Sequence, residues 1–145
     1  MTTQSLPKGH FYQDLHPGQE ASRSNIVTPE VIAAFADVSG DRNPVHFDAA
    51  YAATTPFKEP IAHGMLSAAY ISAVVGMDLP GKGAIYVSQT MAFKAPVKIG
   101  DTVVATVKIL ELMPKRRVRF STVCTVAGKT VVEGEAVMMV PDRPA

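Results

Sequence analysis

The chain has 145 residues, 47% of them hydrophobic and 19% charged, which is enough apolar material for one packed domain over 1–145 and too much for a disordered segment. Its net charge of +1 gives no strongly basic surface, so neither nucleic acid nor an anionic membrane is expected as a partner. Cys124 is the only cysteine, which excludes an intrachain disulfide and suits a reducing cytoplasm.

Residues 1–20 are polar and lack the apolar centre of a signal peptide. Residues 1–9 and 142–145 are expected to fray. An edge strand fits 18–26. Thr28 then suits a helix N-cap, Pro29 the first helical position and Glu30 the positive end of the helix dipole. Val31, Ile32, Phe35 and Val38 recur at helical spacing, and Gly40 stops the run. A short helix fits Asp48 and 49–53, and Pro56 and Pro60 bracket irregular chain. A third helix is expected to start near His63-Gly64 and to end by Gly76. It is apolar almost all round, which predicts burial on every side. The stretch 64–77 is too short to span a bilayer and is interrupted by Ser67 and Ser72.

Beyond Gly81-Lys82-Gly83 the period changes to two. Ile85, Val87, Gln89, Met91 and Phe93 predict one strand; Val103, Ala105, Val107 and Ile109 a second; Val118, Phe120, Thr122, Cys124 and Val126 a third; 130–140 a fourth. Turns at Gly100-Asp101 and Gly128-Lys129 suggest an antiparallel meander. The fold class is therefore α+β, with the sheet wrapped around the apolar helix. Open sheet edges and so small a unit point to a homodimer.

The segment between the first two helices carries the chemistry. Ser39-Gly40-Asp41-Arg42-Asn43-Pro44-Val45-His46 places a carboxylate and an imidazole five residues apart in a stiff loop. Gly40 can turn to positive φ, and Pro44 fixes its own φ and restricts Asn43. Such a loop can hold one water between an acid and a base, although an Asx turn with an ordinary polar histidine has the same sequence. No His/Cys/Asp group has metal-ligand spacing along the chain, so no metal is expected. Gly81-Lys82-Gly83 is too short for a phosphate loop. Lys94, Lys98, Lys115, Arg116, Arg117 and Arg119 form either a solvated face or contacts for anionic groups.

Residues 35–46, followed by Ala52, by Pro60-Ile61-Ala62-His63-Gly64-Met65, by Phe93-Lys94-Ala95-Pro96-Val97 and by Gly100-Asp101, resemble the MaoC-like (R)-specific enoyl-CoA hydratases over about 18–140. The resemblance implies a single hotdog fold, an obligate dimer and an acyl-CoA thioester substrate, with no cofactor beyond the coenzyme A carried by that substrate. It also implies addition of water to a trans-2-enoyl-CoA, as in hydratases that feed polyhydroxyalkanoate synthesis.

By the same resemblance Asp41 and His46 hold the water and Asn43 braces their loop. The Gly64 N–H, at a helix N-terminus, polarises the thioester oxygen, and the Ser72 hydroxyl supports the pair. Gly64 could instead serve close packing, and Ser72 could bond back to its own helix. Leu66 and Val75 are candidates to line the acyl pocket. His63 is read as structural, and His10 and His16 as surface residues. A dehydratase running the reverse reaction on acyl-carrier-protein substrates, or acting on a specialised branched or dicarboxylic acyl-CoA, would use the same chemistry. A hotdog thioesterase would not need the Asp41/His46 loop, and a non-catalytic acyl-CoA binder would be expected to have lost one of the pair.

Overall fold

The computed structural model describes residues 8–145, so the expectation for 1–7 lies outside the described residues. Helix α1 (Pro29–Ser39) forms as its sequence signals. The Thr28 hydroxyl accepts from the Val31 N–H at 3.2 Å, and Gly40 ends the helix at φ 80°, in the left-handed region glycine enters without a Cβ clash. Helix α2 (Ala49–Ala53) starts at Asp48, whose carboxylate accepts from the Tyr51 N–H at 3.0 Å. Helix α3 (Gly64–Met77) runs through the middle of the molecule.

One antiparallel sheet of six strands wraps α3: β1 (Glu20–Ile26), β2 (Ile85–Gln89), β3 (Ala92–Phe93), β4 (Thr102–Met113), β5 (Arg117–Val126) and β6 (Lys129–Met139). Their order is β1-β4-β5-β6-β2, with β3 also paired to β6. The meander β4-β5-β6 matches the sequence pattern. The 85–93 segment does not lead into β4, however, and is not one strand. Its two pieces both pair with β6, Ile85 opposite Met139 and Phe93 opposite Val132.

Two physical features explain the difference. The chain between the pieces presses onto Gly134, where a Cβ would come 1.9 Å from the Thr90 carbonyl oxygen, so only glycine admits the kink. Beyond β3, Pro96 lacks the N–H to continue a ladder. The chain crosses instead to β1, where the Gly100 N–H donates to Val27 O at 2.7 Å and the Val27 N–H to Asp101 O at 2.9 Å.

Leu66, Ser67, Ile71, Val74 and Val75 are the buried face of α3. They pack with Val103, Ala105, Val107, Val118, Phe120 and Cys124, all fully buried on the inner face of the sheet. Each such aliphatic side chain taken from water contributes about 1.5–3 kcal/mol. Burial all round α3 does not occur in the single chain. Met65 is 56% exposed, and Ala69, Ser72, Gly76 and Met77 share its exposure, because the sheet covers only one side. In β2, Ile85 and Val87 are exposed as well, beside a register shift between Tyr86 and Ser88.

Several residues near the described ends are bonded. Gly9 bridges Gly81. Gln13 Nε2 donates to Asp142 Oδ1 at 2.8 Å, the Arg143 N–H donates to Gln13 Oε1 at 2.8 Å, and the Arg143 guanidinium meets the Asp14 carboxylate. Among the described residues no helix is long and apolar enough to cross a membrane.

Candidate active site

The loop after α1 is built from short side-chain bonds to its own backbone. Ser39 Oγ donates to Phe35 O at 2.7 Å and accepts from the Asp41 N–H at 3.1 Å. Asp41 Oδ1 accepts from the Asn43 N–H at 3.1 Å, and Asn43 Oδ1 accepts from the Val45 N–H at 3.1 Å, giving two Asx turns in succession. Asn43 sits at φ −54°, ψ 128°, outside the helical region, as the residue before Pro44 must. A 3-10 turn, Pro44–His46, then brings the His46 ring inward, where it is only 8% exposed.

His46 is held by one edge. Its Nδ1 lies 2.7 Å from Ile61 O, and since a carbonyl only accepts, Nδ1 carries the hydrogen. Nε2 is left to face Asp41 Oδ2 across 3.9 Å. The Asp41 side chain is half exposed, so solvent reaches the gap from its side.

His63, read from sequence as structural, lies inside this group. It is 2% exposed, and its ring stacks on His46 with centroids 3.8 Å apart and planes 27° apart. Its Nε2–H donates to Asp41 O at 2.9 Å. Phe35 tilts against it at 4.9 Å, and Phe47 meets it edge-on at 6.2 Å. Donor atoms of Asp41, His46 and His63 all lie within 4.8 Å of one another, a grouping the sequence spacing did not suggest. To share a zinc-sized ion they would have to close to about 3.3 Å. Each imidazole instead commits one nitrogen to a main-chain carbonyl and its face to the other ring.

Gly64 is the first residue of α3, and its N-cap residue His63 makes no side-chain capping bond, so among the described residues the Gly64 N–H remains available as a donor. Gly64 borders a cavity of about 310 Å³ with His63 and Ser67, walled by Phe57, Ile61, Phe93 and Val97. A Cβ on Gly64 would meet the Phe93 ring at 2.8 Å. His63 thus touches the Asp41/His46 pair through its side chain and the Gly64 amide through its backbone. Ser67, three residues beyond Gly64 and 3% exposed, is a cavity residue the sequence reading passed over. The one-turn spacing from Gly64 was the available signal.

The remaining sequence candidates lie apart. Ser72 is on the exposed face of α3, in a groove with Phe35, Met65, Tyr86, Gln89 and Met91. Phe35 links that groove to His63. Burial raises the Tyr86 phenol above its ordinary range. Leu66 and Val75 are in the core and do not border the cavity. His16 is exposed as read, and His10 is half-buried with Nδ1 3.2 Å from Pro80 O. Most of the basic residues are matched by carboxylates: Lys94 with Glu133, Lys98 with Glu59, Arg116 with Asp142, and Arg119 with both Glu111 and Glu135.

Residues 13–135 match the family model of the MaoC like domain. The (R)-specific enoyl-CoA hydratase of Rhodospirillum rubrum is 56% identical over 135 residues, covering 92% of this chain and 94% of that protein. Among solved structures, the unliganded R-hydratase from Pseudomonas aeruginosa superposes with a TM-score of 0.88 at 51% identity, covering 93% of this chain and 88% of its own. The (R)-hydratase of Aeromonas caviae involved in polyhydroxyalkanoate biosynthesis gives a TM-score of 0.86 at 44% identity, covering 89% and 99%. The wrapped sheet and central helix are the hotdog arrangement of these proteins.

Proposed function

The chain belongs to the MaoC-like family, and on that premise we propose that it adds water to trans-2-enoyl-CoA thioesters to give (R)-3-hydroxyacyl-CoA. The observation that carries this reading is the Asp41–His46 gap of 3.9 Å beside the uncapped start of α3. One water at about 2.8 Å from each group fits between them.

In the reaction the pair takes a proton from that water as its oxygen bonds to Cβ. The alkene π bond opens, and negative charge moves to the thioester oxygen. The Gly64 N–H donates to that oxygen as the charge develops, and a preorganised donor of this kind is typically worth about 10²- to 10³-fold. A proton then passes from the pair to Cα. The sum is H–OH added across the double bond, with no change of oxidation level, so water is the only co-reactant.

Asp41 and His46 lie on one loop and reach the substrate from one side, which gives syn addition and a single enantiomer. The enzyme acts as a homodimer, with the exposed face of α3 and the open edge at β2 as its contact surface. It works in the cytoplasm, where the buried Cys124 thiol stays reduced, and it supplies (R)-3-hydroxyacyl units for polyester synthesis. The test is to supply crotonyl-CoA, follow loss of enoyl absorbance and resolve the product chirally. Turnover to the R isomer alone is expected; S product, a racemate or no turnover would contradict the reading.

A further inference from the structure

We propose that His63 is a positioning residue that sets the catalytic pair through two separate contacts, its ring stacking on His46 and its Nε2–H bonding Asp41 O. The inference rests on the function proposed above and deepens it. Of the three rings around His63, the His46 ring lies closest and nearest to parallel, at 3.8 Å and 27°. Apart from that stack, His46 is hydrogen-bonded at one edge, by Nδ1–H to Ile61 O, and meets the Phe47 ring edge-on at 6.5 Å, so the His63 ring is the flat surface against its face. The bond from His63 Nε2–H to Asp41 O, at 2.9 Å, holds the main chain of the residue whose carboxylate faces His46 Nε2.

The choice of residue supports a role beyond packing. Among the described residues, the Nδ1 of His63 is buried with no hydrogen-bond partner. A buried acceptor without a donor is unfavourable, and native structures keep few of them. Phenylalanine would stack on His46 and remove the orphaned Nδ1, but would leave Asp41 O without this donor. Glutamine could donate to Asp41 but offers no ring. Only histidine at this size gives a flat ring with an in-plane donor, and the orphaned Nδ1 accompanies that combination.

Two variants separate the halves: His63→Phe keeps the ring, and His63→Gln keeps the donor. Each should lower kcat for crotonyl-CoA by about 10- to 10²-fold, the scale of a displaced catalytic group, with KM changed less than about threefold. His63→Phe loses the bond to Asp41 O together with the orphaned Nδ1, two opposing effects, so its melting temperature should change little, whereas a merely structural histidine would lose stability without a selective kcat effect. A second readout is independent of turnover. The His46 Nδ1–H signal in a ¹H–¹⁵N correlation spectrum should stay protected from exchange in His63→Phe and lose protection in His63→Gln. Unchanged kcat in both variants, or equal protection in both, would overturn the proposal. If the parent itself does not turn over crotonyl-CoA, the proposed function fails, and the protection pattern still decides whether His63 holds His46.

Discussion

Asp41 Oδ2 and His46 Nε2 face each other across 3.9 Å, too far for a direct hydrogen bond and close enough for one water to bond both. Because both groups act on that water, Asp41→Asn and His46→Gln should each lower kcat by about 10²- to 10⁴-fold while leaving the fold intact. The double variant should lose far less than the product of the two effects. Steady-state hydration of crotonyl-CoA checks this, and near-parental rates from either single variant would remove that residue from the mechanism.

Gly64 can be tested for its N–H separately from its size. His63 sits at φ −58°, ψ 132°, a backbone that accepts a following proline, and proline is tolerated at the first position of a helix. Gly64→Ala and Gly64→Pro both bring a Cβ against the half-exposed Phe93 ring, which can turn aside. Only Gly64→Pro deletes the donor. It should therefore be slower than Gly64→Ala by about 10²- to 10³-fold in kcat. Equal rates for the two would show that the amide plays no part.

The loop was legible in the sequence because its signals are local. Gly40, Asn43 and Pro44 each constrain the backbone within one or two residues, and the structure carries those constraints at the expected places. The helices and the β4-β5-β6 meander were legible for the same reason. The pairing of β2 and β3 with β6 was not, since it depends on a contact between Thr90 and Gly134, forty-four residues apart. His63 was read as structural because no local pattern places a residue after α2 against Asp41 and His46; that contact forms only when α3 docks. Ser72 lies eight residues beyond Gly64, which at 3.6 residues per turn sets it about 80° round the helix. Ser72 accordingly faces the groove and Gly64 the cavity.

That groove face of α3 is expected to be covered by a second copy of the chain. Ala69→Glu places a charge at an exposed small residue in the groove wall and touches nothing in the Asp41 loop. Sedimentation should show a dimer for the parent at micromolar concentration and a shift toward monomer for the variant. A parent that is monomeric and fully active would contradict the assembly.

Cys124 supplies a pH dependence of stability. Burial pushes its thiol from about 9 up to about 11, with a smaller opposing effect from the Ser67 side chain. The folded protein therefore keeps a proton that the unfolded chain releases between those values. The stabilisation is fully present below about pH 9 and is lost as pH rises toward 11, for a total of roughly 2–3 kcal/mol. Tyr70 and Tyr86, also raised by burial, titrate in the same direction, so the comparison must be with Cys124→Ala. Thermal melts from pH 8 to pH 11 should fall more steeply for the parent than for that variant; parallel curves would refute the assignment to Cys124.

One-sided attack by a single loop is the core of the account, and the most direct test is the geometry of the product. Hydration of crotonyl-CoA in D₂O, stopped early and examined by proton NMR, reports the relative configuration at Cα and Cβ. One-sided attack gives a single diastereomer in which deuterium and hydroxyl entered from the same face. An anti product, or a mixture of the two diastereomers, would show that Asp41 and His46 do not serve both ends of the addition.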